Sequence, residues 1–157
     1  MIKEIKANLL DFPEGIDAIC QCCNCCATQN SGLALQIKLR YPQAYAADVD
    51  YNEKYGKENI LGSFSGAVLP DGKKILNFYA QYNYGRGKRQ LDYEAFYLCL
   101  EKLKAGIKKS EKKYIIGFPY KIGSDRAGGD WNVVLAMIHS VFDNSGIDVI
   151  ICCHEET

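Results

Sequence analysis

"IDAICQCCNCCATQNSGLALQIKLRYP", residues 16–42, decides the architecture of this 157-residue chain. Its first seven residues are short, apolar and β-branched at the centre, as a buried strand is. From Gly32 onward Leu33, Ile37 and Leu39 or Arg40 fall at helical spacing, and Pro42 stops the run. The polar residues between are therefore a strand-to-helix turn, the repeating joint of layered α/β domains.

Reading outward, "MIKEIKA" (1–7) is a further strand, followed by the turn signal "DFPEG" (11–15). "QAYAADVDYNEKYG" (43–56) is a second helix ended by Gly56. "LGSFSGAVL" (61–69), "KKILNFYAQ" (73–81), "KYIIGFP" (113–119) and "DVIICCH" (148–154) are short strands rich in Val, Ile, Phe and Tyr. "PDGK" (70–73) turns the first of these into the second, which predicts a hairpin. In "DYEAFYLCLEKLKAGIKK" (92–109) Tyr93, Phe96, Tyr97, Leu100 and Leu103 share one helix face, and lysines gather at the end that the dipole makes negative. "WNVVLAMIHSVF" (131–142) is the last helix, with Asp130 placed to cap it. Strands alternating with helices predict an α/β fold, and the hairpin makes its sheet mixed. The length suits one domain over 1–157.

Composition narrows the function classes. Nineteen basic and nineteen acidic side chains cancel, so nothing global draws the chain to nucleic acid or to an anionic membrane. No run of eighteen apolar residues exists to span a bilayer, and the charged amino terminus is unlike a signal peptide. These features predict a cytoplasmic protein whose thiols stay reduced.

Five of the eight cysteines crowd into residues 20–26. Zinc needs four tetrahedral ligands, but a strand sends Cys20 and Cys22 to one face and Cys23 to the other, and no second paired cluster follows. Cys152 and Cys153 in the last strand keep that reading open. A redox role would require a lowered thiol pKa near a helix start, for which Cys25 and Cys26 are the candidates. The third reading, small apolar filler beneath a tight loop, is the expected one. No metal and no cofactor is predicted.

Ligands of such sheets bind where strand ends lead into helices. Two loops qualify, residues 24–32 and 123–130. Each carries glycine, which admits close backbone approach, and each opens a helix whose N–H groups suit a phosphate. Side by side they would grip a diphosphate. Asn24, set among apolar residues, needs partners if buried; a ribose hydroxyl and its own loop backbone both qualify. His139 and His154 sit on a helix flank and at the terminus, and neither forms a catalytic constellation.

"CCNCCATQNSGLALQIKLRYPQAYAADVDYNEKYG" (22–56), together with "ANLL" (7–10), "ILNFYAQYNYG" (75–85), "FPYKIGSDRAGGDW" (118–131) and "VFDNSGIDVIIC" (141–152), resembles the macro domains, the ADP-ribose-binding modules. The likeness is to their short stand-alone branch related to ADP-ribose 1''-phosphate phosphatases, and it covers nearly the whole chain. It implies a three-layer α/β/α sandwich with a mixed, mostly parallel sheet and a cleft for ADP-ribose. Asn8 and Leu9 then fall where adenine is contacted and Asn24 at the distal ribose. Asn30, Ser31, Gly32, Leu33 and Ala34 match the first diphosphate loop, and Gly123, Ser124, Asp125, Arg126, Ala127 and Gly128 the second. ADP-ribosylated proteins are a further class of partner that the resemblance implies.

Several positions depart from that pattern. Asn8 replaces the usual Asp and loses charge assistance toward an adenine amino group. Asp125 stands where glycine is usual, and a carboxylate beside a diphosphate costs affinity unless it turns outward or pairs with Arg126. Gln21 occupies the place of a His, so proton transfer there is lost and Asp130 is the substitute acid–base group, with Gln21 and Asn24 positioning water. Gln81 stands where the branch that removes ADP-ribose from proteins carries a lysine, which disfavours that activity. Tyr82, Tyr84 and Arg86 follow in a loop suited to cover the distal ribose and a terminal phosphate. The expected activity is therefore hydrolysis of the terminal phosphate of ADP-ribose 1''-phosphate or a related derivative. A non-catalytic ADP-ribose reader and, behind it, an ADP-ribosyl-protein glycohydrolase are the alternatives.

Overall fold

A computed structural model of the chain describes residues 1–29, 32–84, 88–124 and 127–154. Six strands, β1 (Ile2–Lys6), β2 (Ala18–Asn24), β3 (Phe64–Val68), β4 (Lys74–Gln81), β5 (Ile115–Pro119) and β6 (Asp148–Cys153), form one sheet in the order β1-β6-β5-β2-β4-β3. All neighbours pair in parallel except β3 and β4, the hairpin that Pro70 to Lys73 turns. Parallel strands need long crossovers, and the helices supply them. They are α1 (Gly32–Arg40), α2 (Pro42–Tyr55), α3 (Tyr93–Ser110) and α4 (Trp131–Phe142).

The helix ends follow from their sequences. Pro42 stops α1 and, having no N–H to leave unpaired, starts α2. Gly56, at φ 85°, ends α2 in a conformation that L side chains resist. Asp92 and Asp130 cap α3 and α4, their carboxylates accepting from the N–H groups of Ala95 and Asn132.

Strand alternation divides the core in two. One face of the sheet presents Cys20, Leu76, Phe78, Ile116, Phe118, Val149 and Ile151 to Phe96, Leu100 and Leu103 of α3 and to Val134, Ile138 and Phe142 of α4. The other presents Ile19, Ile75, Ile150 and Cys152 to Ile37 of α1 and Ala44 of α2. The result is a three-layer α/β/α sandwich with a mixed, mostly parallel sheet. Gly117 in β5 is required by packing, since a Cβ there would lie 2.8 Å from Leu9 Cδ1 and 2.9 Å from Ile16 Cδ1. The chain after β1 can therefore cross tightly over the sheet. No described helix is long and apolar enough to cross a membrane.

Candidate functional site

Because β1, β6, β5, β2 and β4 are parallel, their carboxyl ends share one edge of the sheet. The segments leaving those ends line up across it: Asn8 and Leu9 beyond β1, residues 120–124 and 127–130 beyond β5, residues 25–29 beyond β2, and residues 82–84 and 88–91 beyond β4. At ordinary strand spacing this edge is about 19 Å wide. The two candidate ligand loops leave adjacent strands, and a Cβ on Gly123 would lie 3.6 Å from Cys22 Sγ of β2. They adjoin, as a shared diphosphate would require.

The loop after β2 is built around Asn24. Its side-chain oxygen accepts from the N–H of Cys26 at 2.9 Å and of Thr28 at 3.3 Å, while its NH₂ donates to the Thr28 carbonyl at 2.8 Å. Asn24 is buried, and its amide closes the loop on itself. Between these contacts Ala27 is held at φ 53°, a region that costs a non-glycine residue about 1–2 kcal/mol. The N–H of Cys25 donates to the Tyr82 carbonyl, fastening this loop to the segment after β4. Gly32, at φ 59°, then opens α1 in an exposed position, with Leu33 turned partly into the core and Ala34 half-buried. Asn30 and Ser31 lie outside the described residues, as do Arg86, Asp125 and Arg126.

The loop after β5 is clasped from the side. The N–H groups of Gln90 and Leu91 both donate to the Ala127 carbonyl, and Gly129 N–H donates to the Gly123 carbonyl. Gly128, at φ 73°, lets the backbone of Arg89 approach; a Cβ would come within 3.2 Å of its Cα. Ser124 is partly buried, its hydroxyl donating to the Ile122 carbonyl. Asp130 is exposed at the end of this loop. One of its oxygens caps α4, and its N–H donates to the Tyr93 hydroxyl, over whose ring the Arg89 guanidinium stacks at 4.3 Å.

One expectation needs correction. Gln21 is 2% exposed, because strand alternation turns it to the α1/α2 face, where its NH₂ donates to Asn77 at 2.8 Å. It does not reach the cleft and cannot position water there. Leu9 is 4% exposed and packs on Gly117, so only its backbone remains for an adenine. Asn8 is half-buried, its oxygen accepting from Leu10 N–H at 3.0 Å. Tyr84 is exposed beside the cleft, and the Gln81 NH₂ donates to the Asn83 carbonyl at 3.0 Å.

The cysteines divide by burial. Cys20, Cys23, Cys25, Cys99 and Cys152 are buried; Cys22, Cys26 and Cys153 are partly so. Burial pushes the Cys25 thiol up to about 11, the opposite of what a redox thiolate needs. Cys152 likewise rises to about 11 and Cys99 to about 12. Among the described residues no group of three or more His, Cys, Asp or Glu is arranged to hold a metal ion.

Two features escaped the sequence. The clasp of residues 88–91 on the 127–129 turn is made by backbone groups, which leave no residue signature. The second is a polar network under the first loop, where Asp48, fully buried, accepts from Tyr79, Gln29 and Asn52. One signal was present: Asp48 shares a helix face with Ala44 and Tyr51, where an apolar residue is expected. A separate open groove of about 420 Å³, lined by Phe12, Arg40, Tyr41 and Lys73 among others, lies at the opposite end of the sheet, beside the β3–β4 turn.

No family model matches the chain. Among curated proteins it is 39% identical over 54 residues to an ADP-ribose 1''-phosphate phosphatase of Aspergillus oryzae, covering 34% of this chain and 26% of that protein. It is 38% identical over 61 residues to an ADP-ribose 1''-phosphate phosphatase of Saccharomyces cerevisiae, covering 39% of this chain and 34% of that one. The matched segment thus spans about a third or less of these relatives' length. Among solved structures, the macrodomain of Mycobacterium tuberculosis DarG superposes with a TM-score of 0.78 at 24% identity over 97% of both chains. Thermosipho africanus DarTG in complex with ADP-ribose superposes with a TM-score of 0.73 at 18% identity, over 89% of this chain and 38% of that one. With its strand order, its three layers and its paired loops at one sheet edge, the chain has the fold of these macrodomain structures.

Proposed function

We propose that the cleft over the strand ends binds ADP-ribose and that the chain hydrolyses the terminal phosphate of ADP-ribose 1''-phosphate. The observation that carries this reading is the juxtaposition of two strand-to-helix loops on adjacent strands. The diphosphate would lie between them, against the exposed start of the nine-residue α1, whose first turn presents free N–H groups and a positive dipole end. Asn8 and the Leu9 backbone would meet the adenine. Gly123, Ser124, Ala127 and Gly128, with Asp125 and Arg126, would border the second side, and Tyr84 with Arg86 the distal end. The partial likeness to two proteins named as ADP-ribose 1''-phosphate phosphatases supports this substrate.

Hydrolysis requires water to attack phosphorus while the bond from phosphorus to the C1'' oxygen breaks, giving ADP-ribose and inorganic phosphate. Asp130 is our candidate to orient that water and accept its proton. It is exposed at the rim, and only one of its oxygens is engaged by a described residue. Gln21, buried, is withdrawn from this role. Asn24 acts through the loop it closes.

A second reading, a non-catalytic reader of free or protein-attached ADP-ribose, is favoured by one observation: the Gln21 NH₂ and both ends of the Asn24 amide are already bonded within the protein. Removal of ADP-ribose from proteins by a lysine at position 81 is not available to Gln81. We place the protein in the cytosol on the strength of its free thiols.

Calorimetric titration with ADP-ribose tests the cleft, and heat with a saturable isotherm is expected. Absence of heat and of a thermal shift at millimolar ligand rejects both readings. Phosphate release from ADP-ribose 1''-phosphate then separates enzyme from reader, with Lys109→Ala, on the exposed end of α3, as the control that stays active.

A further inference from the structure

The loop after β2 is fixed at its start by Asn24, and further along by a buried hydrogen bond from Gln29 to Asp48. Gln29 is 2% exposed, and its NH₂ donates at 2.9 Å to Asp48 Oδ2 on α2. Asp48 Oδ1 accepts from the Tyr79 hydroxyl at 2.8 Å and from the Asn52 NH₂ at 3.1 Å. Tyr79 belongs to β4, where its hydroxyl lies 2.8 Å from that of Ser65 and its ring stacks on Tyr51 at 5.4 Å. Three elements, β4, β3 and α2, therefore hold the carboxylate that holds Gln29. Gln29 belongs to none of them; it stands in the loop, shortly before the start of α1.

We propose that the Gln29–Asp48 pair is a positioning latch that fixes the loop after β2 in its ligand-ready shape, an inference that rests on that loop's being part of the ADP-ribose site. A buried carboxylate with no cation beside it among the described residues is costly unless its acceptors are filled, and the cost is recovered only with the loop seated. Seating the loop before the ligand arrives removes an ordering penalty from binding. Neither residue touches the ligand.

The orphaned atoms give the experiment its control. Gln29 Oε1 is buried with no partner among the described residues. In Asp48→Asn the Oδ1 position can stay an acceptor for Tyr79 and Asn52, and the new amide NH₂ can donate to Gln29 Oε1 once that side chain flips. The latch survives that change. Gln29→Leu cannot make it, and Gln29→Asn, shorter by one methylene, cannot reach it while remaining polar.

Hydrogen exchange on the unliganded chain and titration with ADP-ribose are measured for all three variants. Gln29→Leu and Gln29→Asn are expected to speed exchange of amides 25–29 by about tenfold and to weaken ADP-ribose by a similar factor, the worth of one buried hydrogen bond to a charged acceptor. Amides of β5 and α3 should keep their wild-type rates. Asp48→Asn should leave loop exchange and affinity near wild type. Wild-type exchange at 25–29 in both Gln29 variants overturns the latch, and so does an equal rise across β5 and α3, which would make Gln29 an ordinary core residue. If the wild-type chain gives no heat with ADP-ribose, the ligand reading falls and the exchange data alone decide the latch.

Discussion

At the scale of single residues, Asp130 carries two jobs that substitution can separate. As the N-cap of α4 its carboxylate satisfies the Asn132 N–H, and as the proposed base it must face water. Serine caps nearly as well but cannot take a proton near neutral pH. Asp130→Ser should therefore keep the wild-type unfolding midpoint and lose phosphate release by about a hundredfold or more. Asp130→Ala should lose both, with about 1 kcal/mol of stability gone. If Asp130→Ser releases phosphate at the wild-type rate, the carboxylate is a cap and nothing else. The thiols offer a second test at this scale. Burial raises Cys25 and Cys152 to about 11 and Cys99 to about 12, so few thiolates exist there at neutral pH. Alkylation of the native protein followed by peptide mass analysis should mark the partly exposed Cys26 and Cys153 first, with Cys20, Cys23, Cys25 and Cys99 reacting only after unfolding. Early labelling of Cys25 would reopen the redox reading.

At the scale of elements, the packing of the chain after β1 onto β5 ties stability to the adenine end of the cleft. Leu9 and Ile16 both press on Gly117, and the added methyl of Gly117→Ala would meet Leu9 Cδ1 at 2.8 Å and Ile16 Cδ1 at 2.9 Å. Overpacking of this kind costs about 1–3 kcal/mol. Thermal denaturation should show a fall of several degrees, and ADP-ribose should bind more weakly because Leu9 carries Asn8 with it. A midpoint equal to wild type would mean that the turn after β1 yields freely. These elements were largely legible beforehand. The apolar, β-branched run of β2, the apolar face of α3, the cap Asp130 and the "PDGK" hairpin each carry a local signal, and each lies within two residues of where that signal put it. What stayed hidden was relational. Gln21 sits three residues before Asn24, where the family resemblance put a cleft residue, but alternation along β2 in regular register with β4 turns it to the other face, opposite Asn77. Asn24 could be read as a ribose contact or as a loop closure, and nothing in the sequence places Cys26 and Thr28 around its amide, where they make the closure.

At the scale of the whole molecule, the buried network under the first loop couples stability to pH. Burial raises the Asp48 carboxyl above its ordinary value, against the hydrogen bonds from Tyr79, Gln29 and Asn52 that pull it down. A carboxyl with a raised pKa in the folded state holds its proton at a pH where the unfolded chain has already released it. Folding then takes up a proton, and stability falls as pH rises. Its contribution is whole below the unfolded value near 3.8, declines as pH climbs through the raised value, and stays at its lower level beyond it. Asp48→Asn removes the titration and keeps an acceptor for Tyr79 and Asn52. Other carboxylates titrate in the same range in both proteins, so the quantity to follow is the stability difference between wild type and Asp48→Asn. Denaturant midpoints measured from pH 3 to pH 8 should show wild type losing ground to the variant as pH increases, with the difference levelling off once Asp48 is ionised in the folded state. A difference that is flat across the series would mean that the three donors offset burial completely and that Asp48 keeps its ordinary pKa. A difference that grows in favour of wild type would mean that the donors outweigh burial, and that the network stabilises the ionised form.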